Sequence, residues 1–127
     1  MVVAGKQGDA VETRAAVAAV AGWISGGGER PVRAELAAAV RLSLRTLEQI
    51  APGRAVEVRV PPFAAVQCVA GPTHTRGTPP NVIEMDPLTW LRLATGDLAW
   101  VDAVDSGSVR ASGTRADISA LLPVVRL

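Results

Sequence analysis

The sequence is short of most groups that carry chemistry. It has one cysteine, Cys68, one histidine, His74, and no tyrosine. A single cysteine forms no internal disulfide, so nothing points to an oxidising compartment. Zinc centres need three or four soft or borderline ligands, and one histidine with one cysteine does not supply them; no metal and no cofactor is expected. Aromatics are scarce as well: Phe63, Trp23, Trp90 and Trp100 are all there are. An excess of one charge is missing too, since 13 basic and 12 acidic side chains leave a net charge of +1. That balance gives no global field for nucleic acid. The arginine bias of residues 30–59 and the acidic bias of residues 84–105 read as two ordinary solvated faces.

Long apolar runs are also absent. The uncharged stretch Ala15–Gly28 ends in glycines and is too short to span a bilayer. The start, MVVAGKQGD, has no apolar core of signal-peptide length. The end, Val125-Arg126-Leu127, fits a peroxisomal tripeptide poorly. The expected location is cytoplasmic. No serine sits in G-x-S-x-G, no glycine loop precedes Lys-Ser or Lys-Thr, and no G-x-G-x-x-G follows a strand. Cys68 falls mid-strand on an apolar face, where a thiol is inert. No catalytic residue is nominated, and the chain is expected not to be an enzyme.

What is present is an aliphatic core. Of 127 residues, 49% are hydrophobic, enough for one domain with a buried interior. Residues 1–8 lack periodicity and are expected to be a flexible tail, with 9–127 forming a single domain. Asp9 with Glu12 is a plausible cap and box partner for an alanine-rich helix running to Ile24. Ser25-Gly26-Gly27-Gly28 then reads as a flexible joint. Pro31 suits the first position of a second helix, whose stripe is Val32, Leu36, Val40, Leu44, Leu47 and Ile50. The period changes to two at Ala55–Val60, and Phe63–Ala70 and Asn81–Met85 read as further strands. Asp86-Pro87 opens a helix that Gly96 closes; Asp97 is the expected cap of a short helix ending at Gly107. Ser108–Ser112 alternates as a strand, and Thr114 with Asp117 is expected to cap a last helix bearing Ile118, Leu121 and Leu122. This order predicts an α+β domain with a mostly antiparallel sheet covered by helices on one side.

Between the second and third strands lies GPTHTRGTPPN, residues 71–81. Its glycines and prolines predict a stiff connection, and His74 and Arg76 at its centre are the polar candidates for contacting a ligand head group. Trp90 and Trp100 stand ten residues apart on consecutive short helices; they either pack the core or line an apolar cavity.

Residues 81–122 also carry a pattern. Leu88, Leu91 and Gly96 form a leucine-spaced helix ending in glycine, Ala103 and Gly107 end a short helix, Gly113 ends a short strand, and Ile118 with Leu121 fall in the closing unit. The pattern resembles the sterol-carrier-protein (SCP2-like) family, in a bacterial, actinobacterial branch. The resemblance implies a helix-covered sheet around an apolar cavity that binds or transfers a lipid, a fatty acyl group or a sterol, without catalysis. On that basis the candidate ligand-binding residues are Val66, Cys68, His74, Arg76, Leu88, Trp90, Leu91, Trp100 and Leu121. The alternative is a protein-interaction or homodimerisation module on the same scaffold without a working tunnel.

Overall fold

The structure, a computed structural model, describes the backbone of residues 2–72 and 81–127, and the side chains of 9–72 and 81–127. In chain order it has helices α1 (Val2–Ala18), α2 (Ala21–Ile24) and α3 (Arg33–Ile50), then strands β1 (Val56–Val60), β2 (Ala64–Cys68) and β3 (Asn81–Met85). Helices α4 (Pro87–Thr95) and α5 (Trp100–Asp105), strand β4 (Val109–Ser112) and a 3-10 turn at Ser119–Leu121 follow. The fold is α+β.

The four strands lie in the order β2-β1-β3-β4. β1 pairs with β2, and β3 with β4, antiparallel; the central β1–β3 pairing is parallel. The sheet is therefore mixed. Side chains alternate as the period of two requires. Val56, Val58, Val60, Ile83 and Met85 are buried beneath the helices. Glu57, Arg59, Glu84 and Arg110 occupy the opposite face, where Arg59 pairs with Glu57 and Arg110 with Glu84, each at 2.8 Å. The strand order explains this row of charge: Arg59 lies opposite Glu84, and Glu84 opposite Arg110, so signs alternate across three strands.

The simple succession of hairpins expected from the sequence does not hold at β3, which returns to the far side of β1 instead of adding beyond β2. Asn81 pins it there. Its Nδ2 donates to the Ala55 carbonyl and its Oδ1 accepts from the Arg115 backbone N–H, both at 2.9 Å. The poorly buried β2, with Ala65 exposed, is left at the sheet edge.

Helix α3 packs on β2, α1 and α4 pack on α3, and α2 packs on α4. The stripe Leu36, Val40, Leu44 and Leu47 is buried. Its expected ends are not: Val32 is 67% exposed and Ile50 52% exposed. Val32 is the extended residue before the helix, so Pro31 precedes the cap instead of opening the helix, and Ile50 is the last helical residue, beyond the sheet. The first helix differs more. Its backbone is helical from Val2, so Asp9 lies inside it rather than capping it, and the expected tail at residues 1–8 is helical over residues 2–8. It breaks after Ala18, and α2 resumes at Ala21, which turns Val20 and Ile24 inward beside Val17. The glycines expected as a flexible joint form an ordered turn, with the N–H groups of Gly27 and Gly28 both donating to the Gly22 carbonyl at 3.0 Å.

Further on, Asp86 caps α4 as expected, accepting from the Thr89 backbone N–H, and Pro87 opens the helix. Gly96 ends it at φ 85°, the left-handed region where a Cβ is penalised. Asp97 does not cap the next helix. Its N–H and that of Leu98 both donate to the Arg92 carbonyl, at 2.8 and 3.1 Å, completing the turn begun at Gly96, and Ala99 precedes α5. The expected last helix is only a three-residue 3-10 turn. Asp117 accepts from the Ser119 N–H at 2.8 Å, and the chain then runs extended. Val124 and Val125 both donate their N–H to the Ala94 carbonyl, at 2.9 and 3.0 Å.

Candidate functional site

These last hydrogen bonds shape a cleft. The turn at Gly96 reverses the chain after α4, the strap Leu122–Val125 is tied to the end of α4, and α5 stands opposite. Between them lies a cleft of about 660 Å³ lined by Leu93, Leu98, Trp100, Val101, Leu122 and Pro123, among others. This falls within the usual 300–1,000 Å³ of small-molecule sites. Leu93 is buried at its base. The six-residue α5 is anchored by buried Ala103 and packs on β4, while Val101 and Val104 remain 60% and 39% exposed. Isolated exposed valines are ordinary, but two beside a half-buried tryptophan make an apolar lip.

The rim is acidic. Asp105 comes from α5 and Asp117 from the segment before the 3-10 turn. The Ser119 hydroxyl and backbone N–H both donate to Asp117 and hold its carboxyl below the ordinary value. The lining set has no histidine, cysteine or lysine. Among the described residues, no cluster of three or more His, Cys, Asp or Glu is placed to hold a metal. What the arrangement does chemically is take apolar surface out of water.

The residues nominated from the sequence are distributed as follows. Trp100 lines the cleft. Leu121 is half-buried on the 3-10 turn, but its neighbour Leu122 is the lining residue. Trp90 and Leu91 are fully buried in the core, where the Trp90 Nε1–H donates to Ser43 Oγ at 2.8 Å. Leu88 and Val66 are half-buried away from the cleft lining. Cys68 is buried at the end of β2 opposite Val56. Burial, with a smaller contribution from Glu48, pushes its thiol up to about 11. His74 and Arg76 lie outside the described residues. Leu93, Leu98, Val101, Val104 and Pro123 were missed. Leu98, Val101 and Val104 carried a signal, since they recur at a helical step of three; Pro123 carried none, because its place depends on the strap.

No helix among the described residues is long and apolar enough to cross a membrane. No curated protein matches the chain. A family model does match, over residues 32–124, from the residue before α3 to the strap, and its description is that of a bacterial SCP ortholog. With most of its length, all four strands and helices α3, α4 and α5 inside that match, the chain belongs to the bacterial SCP ortholog family, a sterol-carrier-protein-like family.

Proposed function

We propose that the protein binds and carries a hydrophobic small molecule (a lipid, fatty acyl or sterol-like compound) in the cleft between α5 and the strap, without transforming it. The observation that carries this reading is the apolar lining of a pocket of about 660 Å³ in a member of this family. Trp100, Leu98 and Leu93 hold the chain of the ligand, and Val101 and Val104 guard the mouth. Magnitudes agree. Each buried methylene contributes about 0.8 kcal/mol, so ten to twelve give roughly 8–10 kcal/mol gross, and an association cost of about 4 kcal/mol leaves about 4–6 kcal/mol, an affinity from millimolar to tens of micromolar. A non-catalytic role is favoured by the one cysteine, whose buried thiol stays protonated at neutral pH. The reading includes a cytoplasmic location.

Native mass spectrometry before and after organic extraction tests it. An adduct in the lipid mass range that extraction removes supports the carrier reading. A bare protein mass under gentle conditions, with no uptake of added lipid, overturns it. A second reading, self-association, is favoured by one observation: the strand order leaves β2 and β4 as sheet edges, and Arg110–Ser112 of β4 are exposed. A dimer mass supports that reading in the same experiment.

A further inference from the structure

We infer that the cleft selects an amphiphile with a cationic head group, an alkylammonium rather than a carboxylate. This inference rests on the reading of the cleft as a hydrophobic-ligand site.

Its basis is the sign of charge at the mouth. Two charged residues line the cleft, Asp105 and Asp117, and both are acidic; none of the described lining residues is basic. Six of the arginines are engaged elsewhere. Arg59 and Arg110 pair with Glu57 and Glu84 on the outer face of the sheet. Arg92 donates to the Ile24 carbonyl and Arg41 to the Phe63 carbonyl. Arg30 and Arg33 lie over the rings of Trp23 and Phe63. Among the described residues, no ion pair includes Asp105 or Asp117. The hydrogen bonds from Ser119 favour the ionised form of Asp117.

The two carboxylates come from different elements, one from α5 and one from the segment before the 3-10 turn, and share the cleft lining with apolar Leu93, Leu98 and Leu122. An alkyl chain seated on those leucines brings its polar end to the rim. A carboxylate head group there meets two like charges, and like-charge juxtaposition is costly in an interface. A quaternary or primary ammonium meets two partners, and the face of Trp100 adds a surface that attracts cations. Rim pairs are partly solvated, so each carboxylate contributes modestly; together they give an alkylammonium about a five- to tenfold advantage over a carboxylate of equal chain length.

The test is titration calorimetry of the full chain with dodecyltrimethylammonium and with dodecanoate, each below its micelle-forming concentration. The proposal expects the cation to bind about fivefold or more tightly at low salt. It expects the advantage to shrink as salt is raised and to vanish in the D105N/D117N double variant. The amide that replaces the Asp117 carboxylate in that variant retains an acceptor for the Ser119 N–H, and thermal melting checks the fold; D105N alone, at an exposed position, serves if the double variant melts early and is expected to lose part of the preference. Equal or tighter binding of dodecanoate, or a preference that survives in D105N, D117N and the double variant, overturns the head-group inference while leaving the carrier reading standing. Binding of neither probe overturns both.

Discussion

The indole of Trp90 donates to Ser43 Oγ at 2.8 Å, and Ser43 in turn donates to the Ala39 carbonyl at 2.6 Å, in the middle of the core between α4 and α3. Both side chains are buried, and the indole depends on the serine: a buried indole N–H without an acceptor costs free energy, whereas the Ser43 hydroxyl also has the Ala39 carbonyl as a partner. Ser43→Ala removes the acceptor and strands the indole. The expected loss is about 1–3 kcal/mol, read as a lower urea midpoint with an unchanged slope. A midpoint equal to that of the parent protein counts against this relay as a structural element.

Asp86 and Asp97 both precede short helical stretches and have similar sequence signatures, but only Asp86 caps one. Asp86→Ala is expected to cost about 0.5–2 kcal/mol. Asp97 is exposed, and its nearest cation, Arg92, is 4.0 Å away; Asp97→Ala is expected to change stability by no more than about 0.5 kcal/mol. Thermal melts of the two variants side by side decide the matter, and a reversed order contradicts the capping geometry.

Cys68 is expected to resist thiol reagents at pH 8 until the protein unfolds, since the thiol is buried and its pKa is raised from 9.0 to about 11. The raised value also sets the direction of a pH effect. The folded state holds the proton more tightly than the unfolded state, so this contribution to stability is fully present below pH 9 and is lost as pH rises toward about 11. Chemical denaturation at about pH 8 and about pH 10.5 should show the decline, and Cys68→Ala should flatten it. Rapid labelling of the folded protein at pH 8 contradicts the burial.

Val101→Asp and Val104→Asp place a charge on the lip of the cleft at exposed positions, so stability should shift by less than about 0.5 kcal/mol. Binding of a neutral apolar fluorophore such as N-phenyl-1-naphthylamine should weaken by about tenfold, from lost apolar contact and from the added charge. Unchanged binding in both variants moves the ligand elsewhere.

Much of the fold was legible because local physics and tertiary packing agree in these segments. The period-two run Val56, Val58 and Val60, the stripe Leu36 to Leu47, and the frame of Asp86, Pro87 and Gly96 each state one structure twice, once in propensity and once in burial. Disagreement arose where packing overruled a local signal. Asp9 and Asp97 look like caps, yet α1 starts upstream of the first and the second joins a turn that Gly96 dictates. The side of β1 on which β3 pairs was not visible, because it is settled by Asn81 reaching Ala55 and Arg115, partners 26 and 34 residues away in sequence. The site was less legible for a related reason. Tryptophan type alone could not separate Trp90, satisfied in the core by Ser43, from Trp100, at the cleft, and the wall opposite Trp100 is built by a strap whose place depends on the Ala94 carbonyl.

The helices that precede the family match have a consequence for dissecting this molecule. α1 and α2 lie outside residues 32–124, yet Val17, Val20 and Ile24 belong to the same continuous core as Leu36 and Leu44, and Arg92 of α4 holds the last carbonyl of α2. The segment shared with the family and the segment that buries a common core are therefore different in extent. A fragment trimmed to the matched residues would leave one side of α3 bare to water, an exposed apolar surface that invites aggregation or borrowing of the missing helices from another copy. The residues that bury the common core extend beyond those that match the family.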